Sequence, residues 1–199
     1  MTKILFQGDS ITDASRVRTD PESAGCGYAQ MVKGDLGLEK PGEYEFVNRG
    51  VAGERVVQIY ARVELDVILV KPDVMSILVG VNDVWSEAEK FYKVYDLLID
   101  EIKTGLPDVK IMIMEPFILP GTVPEKHGWD FYRGEVEIRA QKAKMIAEKY
   151  NLPFIPLQAD FDALAAKTKP TDWTADGVHP TAMGHAFIRN KWIEAFKKL

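Results

Sequence analysis

A serine, a histidine and an aspartate stand in this chain in settings that suit acyl transfer. Ser10 follows Gly8 and Asp9 in ILFQGDSITD, where an apolar run stops abruptly in turn-forming residues. His179 and Asp176 share the segment DGVHP near the other end. A serine hydroxyl becomes a nucleophile when a histidine takes its proton, and a carboxylate holds that histidine in the right tautomer. Asp176 lies three residues before His179, so one turn brings its carboxylate to one imidazole nitrogen and leaves the other for Ser10. Pro180 disfavours helix at His179 and itself suits a first helical position, which puts His179 in a loop at a helix entrance. The same Asp-x-x-His pair also serves as a helix cap or half of a metal site, and Gly-Asp-Ser also serves as a plain turn.

Acyl transfer further needs donors for the charge that develops on the carbonyl oxygen; removing one costs about a hundred- to a thousandfold in rate. The backbone N–H of Ser10 is one candidate. Gly53, in GVAGE, is a second, because glycine lets backbone approach a ligand closely. Asn82, in GVND, offers a side-chain amide. An aspartate there would repel an oxyanion, so Asn82 rather than Asp83 is the candidate. Gly53 and Asn82 are also ordinary turn formers. Of the three histidines, His185 is expected to pack or lie on the surface of the last helix. His127 falls in a long loop, either touching substrate or simply solvated.

Strand ends must deliver these residues to one place. Apolar runs predict strands over 4–6, 44–47, 74–79, 110–114 and 152–157. Apolar residues at steps of three and four predict helices over about 28–36, 56–63, 90–104, 129–150, 161–166 and 181–198. Residues 115–128 read as the longest irregular segment. Strands alternating with helices imply a parallel sheet with right-handed crossovers and helices on both faces. The expected fold is therefore α/β, a three-layer α/β/α sandwich around a central five-stranded parallel sheet, with residues 1–199 as one domain. Ligands of such sheets bind beyond the carboxyl ends of the strands. Ser10, Gly53 and Asn82 follow the first three strands, so topology brings them to one edge.

Composition narrows the partners. With 25 Lys+Arg against 30 Asp+Glu, the net charge of −5 argues against nucleic acid or an anionic membrane. Cys26 is the single cysteine, which excludes an intramolecular disulfide; its Gly-rich setting, with no histidine near in sequence, predicts a structural thiol. The first strand starts within a few residues of Met1 and no apolar run approaches the length of a membrane span, so no leader and a cytoplasmic protein are expected.

GDSIT near the N-terminus, NRGVAGE after the second strand, GVND after the third and DGVHP near the C-terminus together resemble the GDSL (SGNH) hydrolases. The four blocks occur in that family's order and span nearly the whole chain, although Ile11 stands where the family name quotes leucine. The resemblance implies the flavodoxin-like SGNH hydrolase fold and a serine ester hydrolase. It implies Ser10 as nucleophile, His179 as base, Asp176 as its orienter, and Ser10, Gly53 and Asn82 as the oxyanion hole, with no cofactor or metal. GVNDVW and DGVHPTAMGH look more specifically like intracellular acetylxylan esterases and related carbohydrate deacetylases. A small ester, an acetylated oligosaccharide, is then the expected partner, with no nucleic acid and no membrane; a homo-oligomer is compatible with the scaffold. Trp85, three residues after Asn82, either walls an acyl pocket or is core at a helix start. Trp129, Asp130 and Trp173 are available to meet a sugar. A lipase, lysophospholipase or thioesterase on the same scaffold is the alternative. The remaining rival is a non-catalytic anion-binding module using Arg16, Arg18, Arg49 and Arg55, which Asp9 and Asp13 oppose.

Overall fold

Alternate residues of the central strands face opposite layers, and both layers are apolar. The computed structural model describes residues 1–199 and holds five parallel strands. These are β1 (Thr2–Gly8), β2 (Tyr44–Asn48), β3 (Val74–Leu78), β4 (Lys110–Met114) and β5 (Phe154–Ile155), in the order β2-β1-β3-β4-β5. Ile4 and Phe6 of β1 join Leu78, Met112 and Met114 in the core on one face. Leu5, Met75, Ile77, Ile111 and Ile113 join the core on the other. Burial on both faces is why these strands read as continuous apolar runs rather than alternating ones.

The helices are α1 (Ser10–Asp13), α2 (Tyr28–Glu39), α3 (Val56–Ala61), α4 (Ala88–Gly105), α5 (Thr122–His127), α6 (Trp129–Lys149), α7 (Gln158–Lys167), α8 (Pro170–Trp173) and α9 (Ala182–Phe196). Tyr28 and Val32 of α2 and Ile188 and Trp192 of α9 cover one face of the sheet. Ile59 of α3, Tyr95, Leu98 and Ile102 of α4, and Ala143 and Ile146 of α6 cover the other. This is the expected three-layer α/β/α sandwich. The chain leaves β1 to build β2 on one side and β3 on the other, so its direction of winding reverses at β1. A crevice at such a reversal is the ligand position of open α/β sheets. Ser10 is two residues beyond the end of β1.

The structure departs from the sequence expectation in a few places. Part of the segment expected to be irregular is α5; its Pro124 falls in the first turn, where the missing N–H goes unneeded. After α3 the chain continues into a π-type turn, Glu64–Ile68. The fifth strand is only Phe154–Ile155, and α7 begins earlier than its apolar spacing suggested. The Arg139 side chain is buried, and its guanidinium binds the Glu135 carboxylate and the Ser86 carbonyl, tying the segment after β3 to α6. No helix is long and apolar enough to cross a membrane.

Candidate active site

β1 ends against a helix start that its own aspartate caps. The Asp9 carboxylate accepts the Ile11 N–H at 3.0 Å, and Ser10 becomes the first residue of α1. The first backbone N–H groups of a helix have no intrahelical acceptor, so that of Ser10 faces the end of the sheet unspent. The Ser10 Oγ lies 2.9 Å from His179 Nε2, and His179 Nδ1 lies 2.7 Å from Asp176 Oδ2. A carboxylate only accepts, so Nδ1–H donates to Asp176 and Nε2 is left to accept from the Ser10 hydroxyl. The other Asp176 oxygen accepts the N–H groups of Val178 and His179, both at 2.9 Å. Burial works to raise the Asp176 carboxyl, but the His179 N–H, its imidazole and the Val178 N–H outweigh it and hold the group below its ordinary value.

The loop that carries this pair is held from outside. Leu119 N–H donates to Gly177 O at 2.9 Å and Val123 N–H to Asp176 O at 3.0 Å. Backbone passes so close that a Cβ on Gly121 would lie 2.4 Å from Asp176 carbonyl atoms. Thr181 then caps α9, accepting the Gly184 N–H at 3.3 Å, so His179 stands at a helix entrance as expected, while Pro180 lies one residue before the cap rather than at the first helical position.

The two donor blocks are anchored by buried polar side chains. Asn48 Oδ1 accepts the Gly50 N–H at 2.8 Å, while its Nδ2 donates to Thr12 O at 2.7 Å and Ala24 O at 3.0 Å. Asp13 accepts the Ala52 N–H at 2.9 Å. Gly53 follows with a φ of +80°, a conformation that favours glycine, and its N–H has no acceptor in the protein. Asn82 Nδ2 donates to Glu54 O at 3.0 Å, which joins the second block to the third and leaves the other amide hydrogen free. Asp83 accepts the Val56 N–H through both oxygens, at 3.2 and 3.3 Å. Burial pushes the Asp9 carboxyl up to about 7, against the Ile11 N–H and with help from Asp83. Burial also pushes Asp83 up to about 6. In the sequence Asp9 stood out only as a charge opposing an anion, and Asp83 only as the aspartate passed over for Asn82.

Beside Ser10 and His179 lies a cavity of about 320 Å³, also lined by Cys26, Ala52 and His185. Its size is at the small end of the range for small-molecule sites. Cys26, expected as a structural thiol, is instead exposed here, with its Sγ–H donating to Ala14 O at 3.1 Å. Trp85 does not line this cavity, and it is not core: it is 60% exposed. Its ring meets those of His127, Phe131 and Tyr132 at centroid distances of 5.1, 5.7 and 6.2 Å. The Tyr132 hydroxyl donates to Val81 O at 3.2 Å, so this aromatic group adjoins the strand end that carries Asn82. His127 ends α5 rather than standing in a loop. Trp129 packs half-buried beside the Arg133 guanidinium, and Trp173 donates its indole N–H to Thr168 at 2.9 Å. Neither they nor the exposed Asp130 line the cavity. Arg16 donates to Gly50 O, while Arg18 and Arg49 pair with Asp13 and Asp66. Those three have partners within the protein, while the fourth, Arg55, lines a separate groove with Asp83 and Lys90.

A five-stranded parallel sheet with its functional blocks beyond the strand ends belongs, with the similarities that follow, to the carboxylic ester hydrolases. The chain is a member of the GDSL-like lipase/acylhydrolase family, whose sequence profile matches residues 6–187. It is 35% identical, over 216 aligned positions, to an acetylxylan esterase of Geobacillus stearothermophilus, covering 97% of this chain and 96% of that protein. A crystal structure of that organism's Axe2, an acetylxylan esterase, superposes with a TM-score of 0.86 at 31% identity, covering 98% of this chain and 93% of the other. A protein described as GDSL-like lipase from Parabacteroides merdae superposes with a TM-score of 0.91 at 33% identity, over 98% and 94% of the two chains.

Proposed function

We propose that this esterase works through Ser10, His179 and Asp176 and removes acetyl groups from small carbohydrate esters. The observation that carries the mechanism is the unbroken chain of hydrogen bonds from the Ser10 hydroxyl through His179 to Asp176. Ser10 Oγ attacks the ester carbonyl carbon while its proton passes to His179 Nε2. The carbonyl oxygen takes the negative charge and meets the N–H groups of Ser10 and Gly53 and the free amide hydrogen of Asn82. The carbon–alkoxy bond then breaks, and the departing alcohol takes the proton from His179. Water repeats the sequence on the acyl-serine, releasing the carboxylic acid and restoring Ser10. Asp176 holds Nδ1–H throughout and stabilises the charged imidazole.

The substrate assignment draws on the similarity to an acetylxylan esterase and on the modest size of the cavity at Ser10. Trp85 follows Asn82 by three residues, where its ring would limit the acyl side. We assign the enzyme to the cytoplasm, where it would meet imported acetylated oligosaccharides rather than intact polymer. One observation favours the longer-chain acylhydrolase reading: the exposed rings of Trp85 and Phe131, 5.7 Å apart, leave an open apolar surface beside Tyr132, whose hydroxyl donates to Val81 O. A series of 4-nitrophenyl esters separates the two. Activity should fall steeply from acetate to butyrate to octanoate, although each methylene discriminates by only about 1–3 kcal/mol. Trp85→Ala should flatten that fall, and the wild type should release acetate from acetylated xylo-oligosaccharides. Octanoate hydrolysed as fast as acetate would favour the lipase or thioesterase reading instead.

A further inference from the structure

His185 is a buried ring with one nitrogen committed and the other free. Its Nδ1 accepts the Tyr28 N–H at 3.1 Å. Tyr28 opens α2, and the preceding Gly27 has no side chain with which to cap the helix, so the imidazole supplies the missing acceptor. The ring is wedged in place, since a Cβ on Gly27 would lie 2.7 Å from His185 Cε1. A nitrogen that accepts a hydrogen bond carries no proton, so the neutral ring must carry its hydrogen on Nε2. Burial, and then the neighbouring His179, hold this imidazole down at about 4, so it is neutral at ordinary pH. His185 lines the cavity beside Ser10, and its Nε2–H has no acceptor in the protein.

We propose that His185 binds substrate, donating its Nε2–H to an oxygen of the ester's alcohol moiety in this cavity. The assignment rests on the ester-hydrolase reading above. It follows from what each side of an ester offers a donor. The acyl side has one strong acceptor, the carbonyl oxygen, which the Ser10, Gly53 and Asn82 donors take; beyond it an acetyl group presents only a methyl. A sugar on the alcohol side presents hydroxyl and ring oxygens, each able to accept. A fixed N–H donor in a partly desolvated cavity therefore selects for polyol alcohols. A simple alkyl alcohol would leave the donor unpaired, a state that costs free energy when buried.

Two substitutions separate binding from support of the fold. In His185→Asn the side-chain oxygen sits near the former Nδ1 and still accepts the Tyr28 N–H, but nothing occupies the Nε2 position. In His185→Gln an amide N–H reaches that position. We expect the ratio of kcat/KM for acetylated xylo-oligosaccharide to that for ethyl acetate to fall about tenfold in His185→Asn and to recover in His185→Gln. An unchanged ratio in His185→Asn, or equal falls in both variants, would overturn the proposal. So would nitrogen NMR of the wild type at pH 7 showing the proton of His185 on Nδ1. A wild type that releases no acetate from the sugar ester overturns the substrate reading first, and this assignment with it. A wild type active on that ester with an unmoved ratio in the variant overturns His185 alone.

Discussion

The half of the site carried by strand ends and the half carried by the loop before α9 treat their carboxylates in opposite ways. Around Ser10, Gly53 and Asn82 the anchors are buried: burial raises the Asp9 carboxyl to about 7 and that of Asp83 to about 6. In the loop, Asp176 is held below its ordinary value by hydrogen bonds made within four residues of chain. The His179 side chain stays about half exposed. In the proposed mechanism the strand half spends folding free energy to fix donors before charge develops, which is where fixed dipoles accelerate a reaction most. The loop half is assembled locally and stays open to the alcohol and water that must come and go.

Among changes that leave Ser10 in place, the largest effect should come from breaking the donor array. Asn82→Ala should lower kcat by about a hundredfold or more with a much smaller change in KM, because its amide matters most in the transition state. A rise in KM alone would make Asn82 a ground-state binding residue and remove the reason for the buried anchors. A smaller effect tests what those anchors cost. Asp9 has a raised carboxyl in the folded chain, so between about pH 4 and 7 the native state keeps a proton that the unfolded chain releases. Stability therefore falls as pH rises through that window. Asp176 has the opposite sign: its contribution is present at neutral pH and is lost as pH falls through its lowered value. Asp9→Asn should be more stable than the wild type at pH 8, by on the order of 2–4 kcal/mol, with the gap closing near pH 4. Urea denaturation at the two pH values measures this. A gap of equal size at both would show that burial of Asp9 carries no charge penalty.

Much of this organisation was legible in the chain because it is carried by short, local signals. Four of the five strands fall close to where apolar runs end in Gly, Asn or Pro, and the order of strands and helices fixed the layers. The hydrogen bond between Asp176 and His179 needed only three residues of spacing. What escaped was non-local or flanked by misleading residues. Thr122–His127 carries a proline between two glycines, which reads as loop until the first-turn position of Pro124 is seen. Cys26 has no histidine near it in sequence, yet the fold lines one cavity with it, His179 and His185. Trp85 reads equally as core or as wall, and only its exposure excludes the core. The partner that fixes the tautomer of His185 lies 157 residues away, so no spacing rule reaches it.

The central claim is that Ser10 is the nucleophile that the two halves serve. An aryl phosphonate reacts with an activated serine to leave a stable adduct, and peptide mapping by mass spectrometry reads where it sits. One adduct, on Ser10, is expected, together with no labelling and no ester turnover in Ser10→Ala whose thermal midpoint stays within a few degrees of wild type. Labelling at another residue, Cys26 included, or wild-type turnover in the Ser10→Ala variant would contradict the account.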